Sequence, residues 1–245
     1  MYDLHNHLLP GIDDGSPDIN TSIKLAKIAE EDGISHLICT PHIHPGRYEN
    51  NLQTIQKSLD LFRHAMSVNN INLQVAAAAE VRIGPEILQG IQNKTLPFLG
   101  KWENRDVLLL EFPSNSIPVG SDKLIKWLLE KNVVPMIAHP ERNQVFQKHP
   151  EQLNKFITLG CLIQVTAGAL IGNFGYIAKQ TAENLLIQNL ITVIATDAHN
   201  INYRPPNLSE CFNQVTQLTN KKTAEDIFIN TPKTICKYKF TGNPL

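Results

Sequence analysis

A regular alternation of short apolar runs with helical patterns constrains this chain more than any other feature. Runs with β character occupy residues 2–4, 34–39, 73–79, 107–110, 133–138, 161–165 and 191–195. Between the first two, Ser16 is a candidate N-cap, Pro17 suits the first helical position and Gly33 follows the last turn, so the spacing predicts a helix over 17–32. Leu52, Ile55, Leu59, Phe62 and Met66 recur at steps of three and four, which predicts a second helix over 51–68 with one inward face. Similar patterns carry Leu124, Ile125, Leu128 and Leu129 before the fifth run, and Ala178, Thr181, Ala182 and Leu185 before the seventh. Closing helices are expected over 207–219 and 223–230.

Repeated βα order calls for a parallel sheet covered by helices, and continuous apolar runs suit strands buried on both faces. A barrel and an open sheet both satisfy this. The residues that follow the runs separate them: His5 with His7, then His42, Glu80, Glu111, His139, Thr166, and Asp197 with His199. Side chains at the carboxyl ends of so many strands converge only if the strands close into a barrel whose ends ring one mouth. The expectation is therefore a TIM-like barrel of seven βα units in one domain over residues 1–245, a length that such barrels commonly reach.

Within that frame the strand-end residues read as a metal centre. His5 and His7 stand two apart on a strand, so both point to one face. Asp14, in the loop Gly11-Ile12-Asp13-Asp14-Gly15, reads alone as a turn or capping aspartate. A carboxylate at the end of a buried strand is costly without a cation nearby, which favours ligation by Glu80 and Glu111. Asp197-Ala198-His199 repeats the spacing of the first strand. Five histidines and four carboxylates exceed what one catalytic zinc takes, so two or three metals are implied. Imidazole and carboxylate donors without thiolate suit Mn²⁺, Fe, Zn²⁺ or Co²⁺. Closely spaced metals generate hydroxide at neutral pH and polarise phosphoryl oxygens, which is the chemistry of phosphoester hydrolysis.

Arg142, three residues past His139, is a candidate phosphate clamp, with a structural salt bridge to Glu141 or another acid as the competing account. Arg204 is a second candidate, with a solvated loop arginine as its alternative. His44, Arg47 and Tyr48, in the loop after the second strand, are candidates for rim contact with substrate. His36, His64 and His149 are expected away from the mouth.

Composition narrows the partners. A formal net charge of -1 supplies no broad positive field for nucleic acid, and no apolar stretch is long enough for a membrane span. The opening residues leave no room for a secretory signal, which argues for the cytoplasm. Cys39, Cys161, Cys211 and Cys236 are scattered without a CxxC pair, as reduced buried thiols are. No arginine follows any of them at the spacing of a Cys-x5-Arg phosphate loop.

Through Asp3-Leu4-His5-Asn6-His7 and Thr196-Asp197-Ala198-His199 the chain resembles the polymerase and histidinol phosphatase (PHP) superfamily. Through residues 7–15, Thr40-Pro41-His42, Ala79-Glu80-Val81-Arg82 and His139-Pro140-Glu141-Arg142 it looks more narrowly like the bacterial PHP-type protein tyrosine phosphatases of capsule and exopolysaccharide clusters. That resemblance implies a distorted (β/α)7 barrel and a three-metal centre on His5, His7, Asp14, His42, Glu80, Glu111, His139, Asp197 and His199. It also implies that Glu80 bridges two ions, that Arg142 and Arg204 contact the phosphate, and that Asn6 occupies a variable position between ligands. The expected cofactors are two or three divalent ions, with Mn²⁺ first. The expected substrate is a phosphotyrosine protein, a bacterial tyrosine autokinase controlling polysaccharide export. The alternatives are a PHP-type small-molecule phosphomonoesterase such as a histidinol-phosphate phosphatase, an amidohydrolase-type barrel, and a regulatory module with a dead site.

Overall fold

In the computed structural model, which describes residues 1–241, every apolar run becomes a strand of one parallel system. The first half of the chain runs β1 (Tyr2–Asn6), α1 (Ile19–Glu31), β2 (His36–Cys39), β3 (His42–Ile43), α2 (Leu52–Val68), β4 (Gln74–Ala77), β5 (Glu80–Arg82) and α3 (Glu86–Gln92). Then come β6 (Gly100–Trp102), β7 (Arg105–Glu111), α4 (Ser121–Glu130), β8 (Val133–Ala138), α5 (Gln144–Lys148), α6 (Pro150–Leu159) and β9 (Leu162–Thr166). The last part holds α7 (Ala167–Leu170), α8 (Tyr176–Ile187), β10 (Val193–Ala195), α9 (Ser209–Leu218), α10 (Lys221–Glu225) and α11 (Thr231–Cys236).

The strands form two ladders, β1-β2-β4 and β10-β9-β8-β7-β5-β3. Backbone bonds from Asp197 N to His5 O and from His7 N to Ala198 O, both 2.8 Å, join them beside β1 and β10. On the opposite side the third apolar run is a strand only as far as Ala77 and a separate strand begins just past the run at Glu80, so β4 pairs with β2 while β5 pairs with β7. That break makes the (β/α)7 barrel a distorted one. The antiparallel β6, absent from the βα rhythm, reaches β7 through Glu103 and Asn104, whose positive φ values of 49° and 64° are those of a tight hairpin turn.

Leu4, Ile38, Ala76, Leu109, Met136 and Val193 fill the lumen, and Ile235 and Cys236 of α11 pack against its base. A second apolar shell lies between strands and helices, with Ile55, Leu59, Phe62 and Met66 of α2 buried as their spacing requires. This two-layered core leaves the carboxyl ends of the strands free to carry polar groups.

Helix boundaries differ locally from those expected. The first helix starts at Ile19 rather than residue 17, because the Asp18 side chain accepts from Thr21 N at 2.8 Å and caps it. Ser16 is instead buried, donating to Asp18 O. The expected helix over 223–230 is α10 followed by a π-helical turn over Asp226–Asn230, and α11 carries the chain on to Cys236. Among the described residues no helix is long and apolar enough to cross a membrane.

Candidate metal centre

The register of β1 against β2 shifts between Asp3 and Asn6, where the strand passes from the packed lumen at Leu4 to the mouth at His5. Asp3 anchors this turn. Its carboxylate accepts from Thr196 N and Thr196 Oγ1, at 2.9 and 2.7 Å, and from Asn6 Nδ2 at 3.1 Å. Asn6 therefore holds β1 and β2 together, donating also to Ile38 O, rather than standing idle between two ring-bearing neighbours.

His5 and His7 are fully buried with their Nε2 atoms 3.3 Å apart. Each ring is oriented from behind. His5 Nδ1 lies 2.8 Å from Gln164 Oε1 and His7 Nδ1 2.7 Å from Asp13 Oδ2, so Nδ1–H donates outward in each and the Nε2 lone pair points into the cluster. Glu80 Oε2 and Asp197 Oδ1 both stand 3.3 Å from His5 Nε2 and 3.4 Å from His7 Nε2.

The other strand ends bring up the remaining groups. His139 Nε2 meets Glu80 Oε1 at 2.7 Å, while His42 Nδ1 lies 3.0 Å from Glu80 Oε2 and His42 Nε2 3.3 Å from Asp14 Oδ1. His199 donates through Nδ1 to Asp197 O and turns Nε2 toward Asp14, 3.6 Å away. Glu111 Oε2 is 4.0 Å from His42 Nδ1 and 3.0 Å from the Arg82 guanidinium. All nine residues singled out in the sequence thus fall into four overlapping groups: His7, Asp14, His42 and His199; His5, His7 and Glu80; His5, His139 and Asp197; His42, Glu80 and Glu111.

The donor set fits divalent cations. Glu80 Oε2 and His42 Nδ1 are buried atoms with no hydrogen-bond partner among the described residues, although both face the cluster, and Glu111 Oε2 beside them has only the Arg82 ion pair. Buried polar atoms left without hydrogen-bond partners are costly unless a cation satisfies them. Burial opposes ionisation of Glu80, yet His5, His42 and His139 hold its carboxyl well below the usual range. For Asp197 burial is likewise overcome, by Arg142, His5 and Arg204. Burial and the Arg142 charge depress the His139 ring, and burial with His7 depresses His199, so both favour the neutral form that metals require. His139 and Asp197 also adopt φ of 33° and 51°, a strained left-handed conformation for residues with side chains.

Two arginines close the mouth. Arg142 Nη1 and Arg204 Nη2 both donate to Asp197 Oδ2. Glu141 turns away and accepts from Thr166 N at 3.0 Å, so the structural salt bridge expected of Arg142 is made with another acid, Asp197, rather than with Glu141. Arg204 is not a solvated loop residue either: Asn200 Oδ1 accepts from the backbone N–H of Tyr203 and Arg204, pinning the loop over the site. Both line one cavity with Arg82 and the cluster, and His44 and Arg47 stand at its edge. Tyr48 stacks on His42 at 5.4 Å, and the Arg47 guanidinium carbon lies over the Tyr48 ring, 5.0 Å from its centroid. Outside the mouth, His36 stacks on Tyr2, His64 is exposed on α2, and His149 is exposed beside Glu151.

Residues 1–237 match the family described as capsular polysaccharide synthesis, CpsB/CapC. The chain belongs to the CpsB/CapC family. Among its relatives, the tyrosine-protein phosphatase YwqE of Bacillus subtilis is 35% identical over 204 residues, covering 83% of this chain and 79% of that protein. The tyrosine-protein phosphatase CpsB of Streptococcus agalactiae serotype V is 25% identical over 242 residues, covering 97% of this chain and 98% of that protein. A solved structure from work on YwqE of Bacillus subtilis and CpsB of Streptococcus pneumoniae, described as metal-dependent tyrosine phosphatases, superposes with a TM-score of 0.90 at 30% identity. It covers 97% of this chain and 94% of that one. An organophosphorus hydrolase of Deinococcus radiodurans, at TM-score 0.60 and 11% identity over 94% of this chain and 91% of its own, shares the barrel alone. The CpsB/CapC assignment agrees with the capsule-type resemblance carried by the sequence motifs.

Three features of this CpsB/CapC chain escaped the sequence reading. Asp13, not only Asp14, enters the site, and nothing in the Asp-Asp pair says which carboxylate turns inward. Gln164, an amide inside the apolar strand β9, was detectable as a polar residue in a buried run. Arg82 follows Glu80 on β5 and reaches Glu111 only because β5 pairs with β7.

Proposed function

We propose that this chain is a metal-dependent protein tyrosine phosphatase acting on a bacterial tyrosine autokinase that controls polysaccharide export, as one cytoplasmic domain spanning residues 1–245. The observation that carries the reading is the juxtaposition of nine converging donors with two arginines that share one oxygen of Asp197. His5, His7, Asp14, His42, Glu80, Glu111, His139, Asp197 and His199 would hold two or three divalent ions, Mn²⁺ first among them. When bound, such ions lower the pKa of water and neutralise phosphoryl charge.

The chain's own residues supply the rest. Gln164 and Asp13 fix the tautomers of His5 and His7. Arg142 and Arg204 each retain N–H donors beyond those given to Asp197, enough to grip phosphoryl oxygens. A phenol leaves with a pKa of about 10, more readily than an alcohol, so no dedicated strong acid is required beside the leaving oxygen.

Purified protein, analysed for metals, should hydrolyse phosphotyrosine peptides far faster than histidinol phosphate or other small alkyl phosphates. The reverse preference would establish the small-molecule phosphomonoesterase instead.

A further inference from the structure

Arg142 and Arg204 come from different loops, after β8 and β10, yet one aromatic ring lies against both. Phe174 sits between α7 and α8, with its centroid 4.8 Å from the guanidinium carbon of Arg142 and 5.8 Å from that of Arg204. The ring is itself seated. Asn173 N bonds Gly168 O at 2.8 Å, and a Cβ placed on Gly168 would lie 3.0 Å from the ring's Cε2, so the backbone packs directly under it.

A single N–H to one carboxylate oxygen does not fix the plane of a guanidinium, which can swing about that contact. Each arginine makes only such a contact with Asp197, and Arg204 Nε has no hydrogen-bond partner among the described residues. The face of an aromatic ring carries negative potential, attracts a guanidinium and favours particular planes for it. Shared between two cations, it also offsets their mutual repulsion.

We propose that Phe174 is a positioning residue that holds the two guanidinium groups as a preformed clamp for the phosphoryl group. The inference rests on the phosphatase reading above, because it assigns phosphate as what the clamp takes. Phe174 does not itself touch the substrate in this account. Its effect runs through Arg142 and Arg204.

Inorganic phosphate is the probe, its binding to the metal-loaded protein measured by calorimetry beside kcat and KM on a phosphotyrosine peptide. Phe174→Leu should weaken phosphate binding roughly five- to tenfold with metal content unchanged, and Phe174→Trp should restore most of it. Replacing Phe174 by pentafluorophenylalanine keeps the shape packed on Gly168 but inverts the potential of the ring face, and should weaken phosphate in the same direction. In a protein already lacking both arginine side chains, Phe174→Leu should have little further effect. Unchanged phosphate affinity in the fluorinated protein, or an equal loss without the arginines, would overturn the proposal. Absence of phosphotyrosine turnover in the unaltered protein would sink the functional reading instead, and the phosphate measurement stands apart from it.

Discussion

Gly15 lies so close to His7 that a Cβ built on it would stand 2.1 Å from the His7 carbonyl oxygen and 2.4 Å from the His7 Cβ. The same carbonyl accepts from Ser16 N at 3.0 Å, so the loop carrying Asp13 and Asp14 is laid directly on β1. Gly15→Ala should force that loop off the strand. We expect a stability loss of about 1–3 kcal/mol, as for other overpacked sites, together with reduced metal content because Asp13 and Asp14 move with the loop. Thermal unfolding and metal analysis of the variant check both, and an unchanged melting temperature would contradict the contact.

Chelation should abolish phosphatase activity and Mn²⁺ or a similar divalent ion should restore it. His5→Ala, His42→Ala and His139→Ala should each cut turnover severely with loss of metal, whereas His64→Ala and His149→Ala, at exposed positions, should leave it nearly intact. Arg142→Ala should cost roughly 10²-fold or more in turnover while the metals remain, as removal of a transition-state donor does. Equal losses in the two histidine sets would refute the site map.

All four cysteines are buried, and none lines the mouth. Burial pushes the thiols of Cys161 and Cys236 up to about 12, and those of Cys39 and Cys211 are also raised, so no thiolate nucleophile is present near neutral pH. Replacing all four by serine or alanine should lower stability without removing activity from the folded, metal-loaded protein. Trapping of a phosphocysteine would contradict this.

Lys239 is buried against the end of β4, with Nζ donating to the carbonyl of Ala77, the last residue of that strand, at 3.1 Å. Burial lowers its pKa to about 8, partly countered by Asp106 and Cys236. Because the folded state releases this proton more readily than the unfolded chain, the unfolded state holds more protons between about pH 8 and 10.5, and stability rises with pH across that window. Against Lys239→Met, the natural protein should therefore gain on the order of 3 kcal/mol from pH 7.5 to 10.5. Urea unfolding of both proteins at the two pH values measures this, and a difference independent of pH would show that the ammonium is not desolvated.

The seven βα units could be read from the sequence because a strand buried on both faces needs a continuous apolar run and a surface helix needs a 3.6-residue period, and both are local properties. The residue types at the strand ends were equally local, and barrel closure followed from asking where so many of them could meet. That the third run would stop pairing at Ala77 was not legible, since Ala76, Ala77, Ala78 and Ala79 suit either ladder, and only pairing with β2 and then with β7 separates β4 from the new strand β5 that starts at Glu80. The antiparallel β6 was missed for the same reason: its three residues carry no periodic signal and exist as a strand only beside β7. Nor could the sequence place Asp13 behind His7, orient Arg142 toward Asp197 instead of the adjacent Glu141, or bring Phe174 to two arginines from separate loops. Those outcomes depend on distances between segments far apart in the chain. Only the closed barrel, which brings the ends of β1, β8 and β10 around one mouth, decides them.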